Sequence, residues 1–170
     1  MEGINMLVIG SDHGGYALKQ QILRYLKENG FEYKDYGCFS EQSVDYPDFA
    51  LPVAEAVAGG EAERGILVCG TGIGVSIAAN KVPGVRAALC HDCFSAKATR
   101  EHNDSNVLTM GERVIGSGLA LEIVDIWLHT PYAGGRPQAR IDKIAAIEKK
   151  YGREGSGRAG DNISFIRNGA

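Results

Sequence analysis

Five short apolar runs, each followed by a segment of helical periodicity, restrict the fold of this chain more than any other sequence feature. The runs are residues 6–10, 31–36, 65–69, 85–89 and 106–110. After the first run, Leu18, Ile22 and Leu26 recur at the spacing of one helix face. Strands that alternate with helices pair in parallel through right-handed crossovers, and the helices then cover both faces of the sheet. We therefore expect an α/β fold, a three-layer Rossmann-like sandwich with a five-stranded parallel sheet.

The length and composition fit one folded unit. The chain has 170 residues, of which 44% are hydrophobic and 23% charged, and a domain of that size can bury a full core. We expect one domain over residues 1–151, which ends in a helix that Pro137 begins. Residues 152–170 contain five glycines in nineteen positions, which predicts a glycine-rich C-terminal tail.

The charge pattern argues against a nucleic-acid or membrane partner. The net charge is −3, and the sequence has no run of basic residues. The N-terminal segment lacks the basic residues that open a signal peptide, and no apolar stretch reaches the length of a membrane span. We expect a cytoplasmic protein that binds any anionic group at a local site.

The segment of residues 66–81 predicts a buried strand, a glycine-rich turn and the start of a helix. Gly70, Gly72 and Gly74 stand at alternate positions, so backbone N–H groups there can approach a ligand closely. These amides and the positive end of the following helix favour an anion, and the same field favours the thiolate of Cys69. A dinucleotide fingerprint or a P-loop is disfavoured, because Val75 stands where those motifs require glycine or lysine.

Other polar residues are expected at the same place. The carboxyl ends of parallel strands lie at one edge of a sheet, where open α/β proteins bind their ligands. By this rule Asp12 and His13, after the first strand, and Arg113, after the fifth, lie near the glycine-rich turn. Arg136 and Arg140 are four residues apart at the start of the last helix, where they either hold one phosphate or carboxylate together or form a solvated helix end.

The four cysteines are expected to be free thiols rather than a disulfide framework. Cys90 and Cys93 have the Cys-x-x-Cys spacing of a redox pair or of half a zinc site. A zinc ion would need two further ligands, and the sequence offers only distant residues such as Cys38 and His13. We favour two small buried or half-buried thiols at these positions.

Several separated motifs make the chain resemble the B-type ribose-5-phosphate isomerases and their relatives that isomerise allose or galactose/tagatose 6-phosphates. The motifs are Ser-Asp-His-Gly-Gly at 11–15, Asp-Tyr-Pro at 45–47, Cys-Gly-Thr-Gly-Ile-Gly at 69–74, Ala-Ala-Asn-Lys at 78–81, His-Asn-Asp-Ser-Asn at 102–106, and Gly-Gly-Arg at 134–136 with Arg140. Their joint occurrence in this order is highly specific, and the resemblance covers residues 6–151. It implies an aldose–ketose isomerase that works through an enediolate without metal or cofactor, as a homodimer or homotetramer with active sites at subunit interfaces.

The resemblance also implies roles for individual residues. Cys69 matches the base that moves a proton between C2 and C1. In a branch of the family without this cysteine, a glutamate later in the same loop is the base, and Val75 occupies that position here. Thr71 and His102 match residues that help to open the sugar ring. The remaining matches are the phosphate clamp of His13, Arg136 and Arg140, the amides of Gly70, Gly72, Ile73 and Gly74 that face the enediolate oxygen, and the pocket residues Asp12, Tyr46, Asn103 and Arg113.

These matches predict interconversion of D-ribose 5-phosphate and D-ribulose 5-phosphate, with a six-carbon sugar phosphate as the alternative within the same chemistry. Proton abstraction beside a carbonyl needs a base and fixed hydrogen-bond donors, which a cysteine at a glycine-rich turn supplies. A nucleotide- or flavin-binding module would share the sheet and the turn, but it leaves Cys69, His102 and the arginine pair unexplained. A thiol redox protein that uses Cys90 and Cys93 is the third hypothesis.

Overall fold

The computed structural model describes Ile4 and residues 6–152. Its centre is a five-stranded parallel sheet in the order β2-β1-β3-β5-β4. The strands are β1 (Leu7–Ser11), β2 (Tyr33–Asp35), β3 (Arg64–Cys69), β4 (Ala87–Leu89) and β5 (Val107–Gly111). The expected five-stranded parallel sheet is therefore confirmed.

The described residues form six α-helices around this sheet. They are α1 (Tyr16–Glu28), α2 (Pro47–Ala58), α3 (Ile73–Ala79), α4 (Cys93–Asn103), α5 (Ser117–His129) and α6 (Gln138–Gly152). One turn of 3₁₀ helix, His13–Gly15, connects β1 to α1. Helices α1, α4 and α5 cover one face of the sheet, and α2 and α3 cover the other, which is the expected three-layer arrangement.

Each face of the sheet has its own hydrophobic core. Along β1, Leu7 and Ile9 belong to the core beneath α1 and α5, whereas Val8 belongs to the core beneath α2. On the α5 side, Trp127 is fully buried near two arginines, with the guanidinium carbons of Arg64 and Arg100 at 5.4 and 5.9 Å from a ring centroid. Burial lowers the pKa of Arg64 to about 10. The helices on each face of the sheet are thus held in place by a hydrophobic core of their own.

The second strand is shorter than the sequence predicts. The apolar run at residues 31–36 indicates a strand that includes Phe31, but β2 begins at Tyr33. The Phe31 N–H donates to the Leu26 carbonyl at 2.9 Å, and Gly30 has a φ of 74°. Both features belong to the end of α1, so Phe31 terminates a helix before the strand begins.

The end of the described chain includes the predicted last helix. It is present as α6, which begins at Gln138, directly after Pro137. The predicted tail lies outside the described residues beyond Gly152. No helix in the described part of the chain is both long enough and apolar enough to cross a membrane.

Candidate active site

Cys69 is the last residue of β3, and its side chain is almost fully buried. The N–H of Gly72 donates to the Cys69 Sγ at 3.0 Å. Gly72 has a φ of 77°, and a Cβ at this position would lie 2.5 Å from Leu89 Cδ1 and 2.7 Å from the Met110 carbonyl carbon. Because no side chain fits here, the turn can place a backbone N–H directly on the sulfur.

The helix that follows this turn is short. It has seven residues, with Gly72 as its N-cap, and the Thr71 hydroxyl accepts the Ile73 N–H at 3.3 Å. A macrodipole grows with the number of aligned peptide units, so α3 contributes less field than a long helix does. The observed contact of this turn with the sulfur is therefore the N–H of Gly72 itself.

The residues that follow β1 lie against this turn, as predicted. A Cβ at Gly15 would lie 2.5 Å from the carbonyl carbon and oxygen of Val68 and 2.8 Å from the nitrogen of Cys69. The 3₁₀ turn that carries His13 therefore touches the strand that carries the cysteine. The Val44 N–H donates to His13 Nδ1 at 3.2 Å. This bond assigns the imidazole proton to Nε2, which can donate to a ligand.

Arg113 and Asp12 lie beside the same turn. The guanidinium carbon of Arg113 lies 3.4 Å from the point that a Cβ at Gly70 would occupy. At Gly14, the corresponding point lies 3.4 Å from both Arg113 Nη2 and Asp12 Oδ1. Asp12 is buried, and its Oδ1 has no hydrogen-bond partner among the described residues. Since buried polar atoms normally have partners, this oxygen is suited to accept a hydrogen bond from a bound hydroxyl.

Tyr46 reaches the turn from the loop before α2. Its ring atoms lie 2.9–3.1 Å from the point that a Cβ at Gly74 would occupy, so only glycine allows this close approach. The structure thus assembles ten predicted site residues at one edge of the sheet. We call them the carboxyl-edge group, which consists of Asp12, His13, Tyr46, Cys69, Gly70, Thr71, Gly72, Ile73, Gly74 and Arg113.

The other four predicted site residues lie at the opposite edge. His102 and Asn103 form the last turn of α4. The Asn103 carbonyl accepts a hydrogen bond from Arg86 Nε at 3.1 Å, and Arg86 directly precedes β4. The segment before α6 meets the same end of α4, because the Ala133 N–H donates to the Glu101 carbonyl at 3.2 Å. We call the four exposed residues at this edge the amino-edge group, which consists of His102, Asn103, Arg136 and Arg140.

One chain does not bring the two groups together. Cys69 pairs with Gly111 at one end of β5, and Gly65 pairs with Val107 at the other. At about 3.3 Å per residue, the two edges are roughly 13 Å apart. His102 lies beyond the second edge, so it cannot contact a small molecule whose reacting carbon touches Cys69 of the same chain.

Comparison with known proteins identifies this architecture. Residues 7–144 match the family model described as Ribose/Galactose Isomerase. The chain belongs to the ribose/galactose isomerase family. This family member is 51% identical over 144 residues to ribose-5-phosphate isomerase B of Escherichia coli (strain K12), and the match covers 85% of this chain and 97% of the relative. The resemblance inferred from the separated motifs is confirmed.

Two solved structures extend this comparison. Ribose-5-phosphate isomerase B of Clostridium thermocellum has a TM-score of 0.85 and 58% sequence identity, covering 86% of this chain and 99% of that chain. Ribose-5-phosphate isomerase B of Mycoplasma genitalium, with bound ribulose-5-phosphate, has a TM-score of 0.82 and 43% identity, covering 85% and 97%. The fold class inferred from the sequence is thus the fold of these family members.

In this ribose/galactose isomerase, Cys90 and Cys93 have the environment of inert thiols. Cys90 is buried in the core beneath α4 and α5, and burial raises the pKa of its thiol to about 12. Burial, followed by the charge of Glu122, also raises the pKa of Cys93. A dithiol redox pair requires the opposite shift. Among the described residues, no cluster of three or more His, Cys, Asp or Glu side chains could hold a metal ion.

Three contacts that position the carboxyl-edge group were missed by sequence reasoning. The first is the Val44 N–H on His13. The second joins Glu112 to the start of α1, because Glu112 Oε2 accepts the Leu18 N–H at 2.8 Å. The third is between His91 and β5, because His91 Nε2 accepts the Gly111 N–H at 3.1 Å. This nitrogen therefore binds the backbone of the protein and is not available to a substrate. All three donors are backbone amides, which have no residue-specific signal in a sequence.

Proposed function

We propose that this chain interconverts D-ribose 5-phosphate and D-ribulose 5-phosphate through an enediolate, with Cys69 as the base. The observation that carries the proposal is the Gly72 N–H on the Cys69 Sγ at the carboxyl edge of a family member. The relatives described above support it through their names, which specify ribose-5-phosphate isomerase B. Those names give no support to the six-carbon alternative.

The proposed chemistry moves one proton between neighbouring carbons. The Cys69 thiolate takes the proton from C2 of the aldose, and negative charge develops on O1 of the enediolate. The proton of the C2 hydroxyl then passes to O1 as C2 becomes the carbonyl carbon, and Cys69 returns its proton to C1. The backbone N–H groups of residues 70–74 are fixed before the substrate arrives, so they stabilise that charge without reorganisation. The base and the donors are all protein groups, so the proposed reaction needs neither metal nor cofactor.

Ring opening precedes this proton transfer. Ribose 5-phosphate is mostly ring-closed, and we assign its opening to His102 with Thr71. Both side chains are exposed in their respective groups. An imidazole can both donate a proton to the ring oxygen and accept one from the anomeric hydroxyl near neutral pH.

His13, Arg136 and Arg140 hold the phosphate in this proposal. His13 presents its Nε2–H, because Nδ1 accepts the Val44 N–H. Each arginine contact is worth about 1.5–3 kcal/mol as a charged hydrogen bond. Binding energy from the phosphate, which does not react, fixes C1 and C2 against the base. The sugar hydroxyls contact the pocket residues Asp12, Tyr46, Asn103 and Arg113.

The two groups complete one site across an interface between two copies of the chain, in a homodimer or a homotetramer. A two-fold arrangement pairs each carboxyl-edge group with the amino-edge group of the other copy. Exposed apolar side chains beside both groups support this interface. Ile73 and Ile77 are 51% and 57% exposed on α3, and Ile144 and Ile147 are 41% and 58% exposed on α6. The two α6 residues also line a cleft of about 380 Å³, which offers the second copy a recess of mixed polar and apolar lining.

Two variants test the chemical roles. Cys69→Ala should abolish conversion of ribose 5-phosphate, while inorganic phosphate still binds; substantial turnover by this variant would refute the base assignment. His102→Asn should lose more activity on ribose 5-phosphate than on erythrose 4-phosphate, because the phosphate of the shorter sugar blocks ring closure. Equal losses on the two sugars would remove the ring-opening role of His102.

Mixing the Cys69→Ala and His102→Asn variants tests the shared site on ribose 5-phosphate, the sugar on which both variants are impaired. Refolding Cys69→Ala chains together with His102→Asn chains gives mixed dimers in which one of the two sites has both wild-type groups. With random pairing, the mixture should regain roughly a quarter of the wild-type activity. Absence of recovery, with mixed dimers verified by mass, would refute the shared site and leave the assignment of Cys69 untouched.

We further propose that residues 1–151 form the isomerase domain, that residues 152–170 form a separate tail, and that the protein works in the cytoplasm. The family match over residues 7–144 supports the first boundary. A chain that ends at Tyr151 should keep its turnover, and activity should withstand a metal chelator. Activity lost to the chelator and restored by a divalent cation would contradict the metal-free reaction.

A further inference from the structure

Asp104 has an unusual backbone conformation next to the amino-edge group. It directly follows α4 with φ 46° and ψ 48°, and it is the one non-glycine residue in the described part of the chain with a positive φ. Glycine is the usual residue at this position after a helix, because it adopts the left-handed conformation without steric cost. Because aspartate occupies this position instead of glycine, the contacts of its side chain are of interest.

The carboxylate of Asp104 binds two arginines from different parts of the chain. Oδ2 accepts Arg86 Nη2 at 2.9 Å, and Oδ1 accepts Arg100 Nη1 at 2.9 Å. Arg86 also donates through Nε to the carbonyls of Asn103 and Asp104, at 3.1 and 2.8 Å. One aspartate thus joins the amino end of β4 to the last turn of α4, where His102 and Asn103 lie.

The second arginine extends this connection toward the predicted phosphate clamp. Arg100 is almost fully buried, and its Nε donates to the Thr130 carbonyl at 3.3 Å. Thr130 follows α5 and begins the segment that leads to Arg136. The same Arg100 Nη1 that binds Asp104 also donates to the Ser105 carbonyl at 2.5 Å. One charged network therefore holds the last turn of α4 and, at Thr130, the start of the segment that leads to Arg136.

We propose that Asp104 is a positioning residue that, through Arg86 and Arg100, fixes the last turn of α4 relative to the segment that carries Arg136 and Arg140. This inference rests on the roles proposed above for the amino-edge group. Ring opening and phosphate binding act on opposite ends of one small substrate. The distance from His102 to Arg136 and Arg140 must therefore be held within narrow limits. A bidentate carboxylate between two guanidinium groups supplies such a fixed geometry.

A simpler role would be local, with Asp104 serving only to adopt the left-handed turn. Two substitutions separate the roles. Asp104→Asn keeps a residue type that tolerates this conformation but removes the charge that binds both arginines. Asp104→Gly suits the conformation better than aspartate and removes the side chain altogether. A local role predicts that glycine is the better replacement, whereas a positioning role predicts loss of function in both variants.

The experiment compares full-length wild-type protein with both variants and with Asp125→Asn, an exposed aspartate of α5 that contacts Tyr25 and His129. The measurements are kcat and KM for ribose 5-phosphate and the inhibition constant of inorganic phosphate, well below the unfolding temperature of each protein. We expect kcat/KM to fall roughly 10- to 100-fold in both Asp104 variants and phosphate to bind more weakly. Asp125→Asn should match the wild type.

The outcomes separate this inference from the proposed function. A folded Asp104→Gly variant with wild-type kcat, KM and phosphate affinity would overturn the positioning role, and so would loss of activity in Asp104→Asn alone. Wild-type protein that neither converts ribose 5-phosphate nor binds inorganic phosphate would overturn the proposed function and this inference with it. Active wild-type protein with unchanged Asp104 variants would overturn only the inference.

Discussion

Replacement of Gly15 by alanine should reduce both stability and turnover, because the 3₁₀ turn touches the backbone of β3. The new Cβ would stand 2.5 Å from the carbonyl atoms of Val68, whereas ordinary van der Waals contact begins at 3.4 Å. The atoms of a central strand cannot rotate away, so the turn must move by roughly 1 Å. Overpacking of this kind costs about 1–3 kcal/mol, and we expect a value in the upper half of that range.

The displaced turn carries Asp12 and His13, so turnover should fall further than the stability loss explains. A displacement of about 1 Å in a positioning group can cost on the order of 100-fold in rate. Urea unfolding measures the first effect, and isomerisation of ribose 5-phosphate at a temperature where the variant is folded measures the second. Gly118→Ala in α5 is the matched control, since no atom lies within 4 Å of its Cβ position. It should be neutral or stabilise the protein by up to about 1 kcal/mol.

One result would refute this reasoning. If Gly15→Ala unfolded within about 0.5 kcal/mol of the wild type and kept full turnover, the close approach of the turn to β3 would be wrong. A loss of stability without a loss of turnover in the folded variant would instead limit the contact to a structural role.

Three other regions give predictions of their own. Lys19→Met should cost about 3 kcal/mol in urea unfolding, because the buried ammonium donates to both oxygens of Asp35 at 2.6 and 2.7 Å and its loss leaves that carboxylate unpaired. Cys90→Ala should keep turnover within about twofold of the wild type. Burial raises the pKa of the native Cys90 thiol to about 12, so this thiol should react with Ellman's reagent only after the protein unfolds. Asp92 caps α4 by accepting the Ser95 N–H and hydroxyl, and these bonds lower its pKa. The stabilisation from a lowered carboxyl pKa is present above the unfolded-state pKa of about 4 and is lost as the pH falls through the folded-state pKa. In thermal unfolding, the wild type should therefore be more stable than Asp92→Asn at neutral pH, and this difference in stability should shrink in acid.

Controls make these predictions specific. Lys34→Met removes a lysine whose partner Glu61 and own side chain are both more than half exposed, so it should change stability little; a cost equal to that of Lys19→Met would contradict the argument from burial. Loss of turnover in folded Cys90→Ala would restore the redox hypothesis. A stability difference between wild type and Asp92→Asn that does not depend on pH would contradict the capping argument.

The carboxyl-edge group could be located from the sequence because its placement follows from strand direction. Asp12 and Arg113 follow β1 and β5, Cys69 is the last residue of β3, and parallel strands end at one edge. The bounds of the edge strands were harder to predict. An apolar residue such as Phe31 suits a strand and a helix end equally well, and the hydrogen bond to Leu26 decides between them.

The sequence by itself determined the alternation of strands and helices, the parallel sheet, the family and the types of residue at the predicted site. Only the tertiary structure decided that these residues divide between two edges. A crossover helix must run back along the sheet to begin the next parallel strand, so α4 carries His102 to the edge opposite Cys69. Which ring nitrogen of His13 carries the proton is likewise decided by the N–H of Val44, 31 residues away, which donates to Nδ1. Such contacts depend on the folded path of the backbone, which residue types alone do not specify.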